Sequence, residues 1–295
     1  MAKKETAEVK QAAAPINLNL PELPESLVNY TGESVRIPRL EVPLIRVSYK
    51  AEDDDTKVAA KGEFIEYDPV TKESKALGKT VTIQILHHRQ SLSAYKNEES
   101  YWTPEISMRE KETSLFLGST NKTTGKRSNQ FLMKGTIAKN GDLRNAYPDL
   151  RYQRNLYVIH DGVLKSLVIY GASFSGFIDL TKELKGQSSS SVILELSTKK
   201  EKTGTVIYYP IVFTIKEKLD VKESEPKLKE LSDWFGRYDA LIAQQLKERA
   251  DQAAIERGDG PIEEPAAPVK EDNRTMSEQV KDSEESPINP DDIPF

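Results

Sequence analysis

The chain contains no cysteine. That excludes disulfides and thiolate metal sites, and with them the disulfide-stapled secreted scaffolds. It has three histidines, His87, His88 and His160. None shows zinc-ligand spacing, and the adjacent pair would face opposite sides of a strand. No metal and no cofactor is therefore expected. Long apolar runs are missing too, so no membrane-spanning helix is expected. The N-terminus, Met1-Ala2-Lys3-Lys4-Glu5-Thr6, lacks the apolar stretch of a signal peptide, which points to the cytoplasm. The sequons at Asn29, Asn121 and Asn273 are then coincidental.

Catalytic motifs are also scarce. A P-loop needs four residues between its glycines and then Lys with Ser or Thr. Gly118 and Gly125 are separated by six, and Arg127 follows Lys126. Asp149 with Glu183-Leu184-Lys185 imitates a nuclease motif, but Glu183 falls in an expected helix. No nucleophile elbow occurs. The chain reads as a non-enzyme.

Hydrophobic residues make up 37% of the 295, too few for a chain that is globular throughout. The charge is also uneven. Arg257–Phe295 holds eleven acidic and four basic residues, a net of −7, and the rest has a net of +2. Residues 1–30 read as a flexible arm and 258–295 as a disordered acidic tail. Residues 226–257 read as a helix opened by Pro226, with Leu228, Leu231, Phe235, Tyr238, Leu241, Ile242 and Leu246 at helical spacing.

Residues 31–220 read as one β-rich body. Strands are expected at Val35–Tyr49, Glu63–Tyr67, Thr80–His88, Ser114–Leu117 and Phe131–Gly135, with 89–150 otherwise irregular. Thr82 and Gln84 are placed on the wet face. A hairpin is expected over Asn155–Tyr170, turning at Asp161-Gly162. A short helix capped by Ser175 and strands Val192–Leu196 and Thr205–Ile215 follow. The fold class expected is mainly β, an elaborated OB-like barrel with a C-terminal helix and disordered termini.

The body alternates rings with cations, which is what sequence-tolerant capture of a single nucleic-acid strand requires. Tyr95, Tyr101 and Trp102 lie near Arg89, Lys96 and Arg109. The polar segment Ser119–Asn129 carries Lys122, Lys126 and Arg127 with no acid. Arg144, Tyr147, Arg151, Tyr152 and Arg154 form a second cluster. The DNA-contact candidates are Arg89, Tyr101, Trp102, Lys122, Lys126, Arg127, Arg151, Tyr152 and Arg154. Phe116, Tyr157, Phe174, Phe177 and Phe213 read as core, and Trp234 and Phe235 as packing of the last helix.

The acidic tail ends in Asp291-Asp292-Ile293-Pro294-Phe295. This tip resembles that of the bacterial-type single-stranded DNA-binding proteins, in a divergent, phage-like form, although the body does not match their compact core. The resemblance covers about forty residues. It implies that Asp291, Asp292, Ile293, Pro294 and Phe295 dock into replication, recombination and repair proteins, in a bacterial or phage-infected cytoplasm. Ile293 and Phe295 would fill an apolar pocket while the acids meet a basic rim. The function implied is coating of single-stranded DNA. Oligomerisation is compatible with it. Two other readings stay open: a recombination mediator or annealing protein, and a protein that binds no DNA and only borrows the tip's docking site.

Overall fold

A computed structural model describes residues 18–28, 37, 40–49, 58–108, 110–120, 124, 127–138 and 140–257. Its strands are β1 (Leu44–Val47), β2 (Phe64–Tyr67), β3 (Ser74–Gly78), β4 (Val81–Lys96), β5 (Glu99–Trp102), β6 (Glu112–Thr120) and β7 (Arg127–Thr136). After helix α1 (Asp142–Ala146) come β8 (Arg151–His160) and β9 (Val163–Tyr170). Helix α2 (Ala172–Leu184), β10 (Val192–Thr198), β11 (Glu201–Thr203), β12 (Val206–Tyr208), β13 (Ile211–Lys218) and the long helix α3 (Val221–Arg257) complete it.

The β8–β9 hairpin forms where its sequence places it. Asp161 and Gly162 both take positive φ, 52° and 75°, which matches the turn to the strand twist. From there the sheet runs β3-β2-β1-β9-β8-β4-β5-β6-β7. Its pairs are antiparallel except β1 with β9. The mainly β class is therefore right, and the closed barrel is not. The end strands β3 and β7 do not pair with each other, so among the described residues the sheet stays open. The sixteen residues of β4 tie its regions together, pairing with β10 at the start, with β8 over residues 84–93 and with β5 at the end. Within 89–150, the strands expected at Ser114–Leu117 and Phe131–Gly135 are the middles of β6 and β7, while the part expected to be irregular also supplies the rest of β4, β5 and α1.

Alternation along β8 sorts the core into layers. Leu156 and Val158 face α2 and β10, in a cluster with Phe177, Leu180 and Phe213. Tyr157 and Ile159 face α3, in a cluster with Leu231, Trp234 and Phe235. A third cluster, Leu92, Leu115, Leu143 and Leu150, fills the β6–β7 end.

Several boundaries differ from expectation. Leu18, Leu23 and Leu27 are buried in the α3 cluster, and Trp234 Nε1 donates to the Pro21 carbonyl at 2.7 Å. The arm's second half is thus part of the core. Helix α2 starts at Ala172, three residues before Ser175, with Gly171 at its N-cap and no side-chain cap. Helix α3 starts five residues before Pro226, where the Asp220 carboxylate accepts from Lys222 N at 3.1 Å. The strand expected over Thr205–Ile215 breaks before Ile211, because Pro210 has no N–H to donate. Gln84 is buried, not wet, and donates to the Ser190 carbonyl at 2.7 Å.

Candidate nucleic-acid interface

The same alternation divides the sequence-predicted contact residues between two faces. On β8, Arg151 and Gln153 share the α3 face, while Tyr152 and Arg154 point to the α2 face. On β5, Trp102 pairs with Ser93 and Tyr101 with Ala94, so the neighbouring rings also part. Tyr101 is half-buried against the Leu92 cluster, 5.6 Å from the Tyr147 ring.

On the α3 face, the ends of β4, β5, β8 and β9 border a groove of about 660 Å³. It is lined by Ser93, Tyr95, Ser100, Trp102, Arg151 and Tyr170, among others. Tyr95 is 74% exposed and Tyr170 57% exposed. Trp102 is half-buried. Its indole stacks on Phe116 at 5.1 Å, and Phe116 meets Phe131 edge-on at 5.9 Å. Lys96 and Asp149 pair at 2.7 Å on the rim, and the lysine holds the Asp149 carboxyl below its usual range. Arg151 is exposed and anchored by Nη1 on the Pro148 carbonyl at 2.7 Å. The groove thus offers flat rings, hydroxyls, an amide and one guanidinium. It suits stacking and hydrogen bonding.

Arg89 does not belong to this surface, contrary to the sequence reading. It is 1% exposed. Its Nη1 donates to Asp239 of α3 at 2.9 Å, and its Nη2 donates to the other Asp239 oxygen and to the Glu105 carbonyl. Phe235 lies under the guanidinium at 4.7 Å. Burial lowers the Arg89 pKa, but Asp239 and Glu105 outweigh it and the net shift is upward. Burial also raises Glu105, which accepts from Tyr157 Oη at 2.6 Å. This network fastens α3 to the sheet, and a phosphate cannot reach Arg89 without breaking it.

His87 and His88 face opposite sides as their adjacency requires. The His87 ring stacks on Phe235 at 4.9 Å, and His88 lies 6.1 Å from Phe177. Burial, with Arg89 adding, lowers His87 to about 4. Burial, with Arg154 and then His87 adding, lowers His88 to about 3. Among the described residues no cluster of three His, Asp or Glu side chains is arranged to hold a metal ion, and no helix is long and apolar enough to cross a membrane.

On the α2 face, the Arg154 guanidinium lies over Phe174 and Phe177 at 5.0 and 5.1 Å. Burial lowers its pKa to about 10. Tyr152 donates to the Ile137 carbonyl, and Arg144 covers its ring at 4.9 Å. Arg127 begins β7. Lys122, Lys126 and the tip residues Asp291, Asp292, Ile293, Pro294 and Phe295 lie outside the described residues.

The residues that sequence reasoning undervalued are Tyr95 and Tyr170, the most exposed rings of the groove. Their signal was present as strand parity: Tyr170 shares a side with Val168, opposite the buried Leu167 and Ile169. Without knowing where α3 ends its cover, that parity does not distinguish solvent from a second core. No family model, no curated protein and no solved structure matches this chain.

Proposed function

We propose that this protein binds single-stranded DNA in the groove between β4, β5, β8 and β9, and coats it without catalysis during replication, recombination or repair. The acidic tip would recruit partner proteins. The supporting observation is that Tyr95 and Tyr170 stand open to solvent beside Trp102 and Arg151. Farther along this face Tyr157 is buried in the cluster formed with α3 and with Leu18, Leu23 and Leu27. Exposed rings next to an exposed guanidinium serve base stacking and backbone pairing together. The groove's modest charge matches a body that is only slightly basic, so stacking would carry more of the affinity than steering does. The tip adds the second half of the reading, through its resemblance to single-stranded DNA-binding proteins.

The test is fluorescence anisotropy of a labelled single strand of about thirty nucleotides and of the matching duplex, at two salt concentrations. Tight binding of the single strand alone, weakening as salt rises, is expected. Preference for the duplex would refute the groove assignment. No binding at low salt, even after removal of the tail, would leave only a docking role for the tip.

A further inference from the structure

Two arginines lie on adjacent strands of this sheet, Arg89 buried and Arg154 half-buried, and they differ in their partners. Arg89 has Asp239 and Glu105 as counter-charges. Arg154, on the opposite face, has no hydrogen bond and no ion pair with any described residue. Its Nε is sealed from solvent and has no acceptor. The first turn of α2, which supplies Phe174, contains no acidic residue. The His88 Nδ1 on the same face is also buried without a partner.

We propose that Arg154 is a preformed phosphate site on the face of the sheet opposite the aromatic groove, filled by a backbone phosphate of bound DNA. This rests on the DNA-binding reading above. A partly desolvated guanidinium whose sealed Nε–H has no acceptor is unfavourable, and its persistence is explained if an anion at its open side completes it. The aromatic bed fixes the plane of the guanidinium, and an arginine held flat presents a planar fork that matches phosphate oxygens. No carboxylate competes for that fork.

A second observation favours a polyanion over a lone ion. Tyr152 lies two residues before Arg154 on the same face of β8, about 7 Å along the strand. Arg144 covers its ring in the same manner. Two guanidinium groups stacked on neighbouring rings suit successive phosphates better than one isolated anion. The connection to the groove is short. Tyr170 ends β9 in the groove, and Phe174, four residues on, lies beneath Arg154 on the other side. Arg151 and Arg154 are three residues apart on β8, about 10 Å. A DNA strand leaving the groove over this end of the sheet arrives at Arg154.

The ¹H–¹⁵N resonance of the Arg154 Nε–H in the full chain provides the test, titrated with oligothymidylate and separately with inorganic phosphate. A shift with substoichiometric oligothymidylate is the expected result. A shift with inorganic phosphate alone would overturn the DNA assignment and leave a small-anion site. No shift with either ligand would overturn the site altogether. Failure of the DNA-binding reading itself would appear first, as absent anisotropy change with wild-type protein. In Arg154→Gln, the slope of log affinity against log salt should become shallower by about 0.7, the loss of one phosphate contact on a single strand. The same variant should melt higher than wild type, because it removes a partly desolvated charge that has no counter-ion. A structural arginine would give a lower melting temperature. An unchanged slope with wild-type affinity would also count against the proposal.

Discussion

At the scale of single residues, exposure decides which rings are available for a ligand. Tyr95 and Tyr170 contribute little to the core, so each can be removed without unfolding the sheet. Tyr95→Ala and Tyr170→Ala should each weaken single-strand binding by about 1–3 kcal/mol, the usual worth of a base–ring stack, with melting temperature unchanged. Anisotropy titration and thermal melting read the two quantities separately; equal affinity in both variants would remove the groove from the interface. The histidine pair acts on stability. The folded chain resists protonating His87 until about pH 4 and His88 until about pH 3. In the unfolded chain both take up protons near pH 6.5. Below that pH the unfolded state binds more protons, so stability falls with acidification, by on the order of 1.4 kcal/mol per pH unit for each histidine. Urea midpoints measured from pH 7 down to pH 4 should show this decline, and His88→Leu should reduce it. A midpoint that holds level over that range would show that neither histidine is buried in neutral form.

At the scale of elements, α3 determines which part of the sheet is covered and which stays open. Its apolar stripe was legible as Leu228, Leu231, Phe235, Tyr238, Leu241, Ile242 and Leu246, because a period of three and four residues is a property of the chain alone. Its anchor was not legible. Arg89 and Asp239 are 150 residues apart, and each resembles an ordinary surface charge until they meet. Removing Asp239 takes both of its hydrogen bonds from a buried guanidinium and leaves Glu105, 3.6 Å away, as its remaining counter-charge. Asp239→Ala should therefore cost about 3–5 kcal/mol in urea unfolding. A cost near zero would mean that α3 is held by its apolar stripe alone. The β8 strand teaches the same lesson on a smaller scale. Arg151, Tyr152 and Arg154 read as one cluster along the sequence. A period of two puts the first on one face and the others on the opposite one.

At the scale of the whole molecule, the acidic C-terminal segment carries a charge opposite to that of the body. The net of −7 over Arg257–Phe295 against +2 elsewhere suits competition between this segment and DNA. A chain ending at residue 257 should then bind single strands more tightly than the full chain at low salt, and the difference should fade as salt rises. Equal affinities at low salt would separate the tail from DNA binding and restrict it to partner docking.

The sequence by itself determined the β-rich class, the Asp161-Gly162 hairpin and the apolar face of α3. It also determined the absence of thiol chemistry and the division of charge between body and tail. Each of these depends on composition or on short-range periodicity. Only the tertiary structure decided that the sheet stays open between β3 and β7, with β4 joined to β10, β8 and β5. Only there does Arg89 become a fastening for α3 while Arg154 stays uncompensated, and only there do Tyr95, Trp102, Arg151 and Tyr170 meet in one groove. The physical reason is that burial and charge pairing are set by residues distant in the chain, whereas propensity and periodicity are set by neighbours.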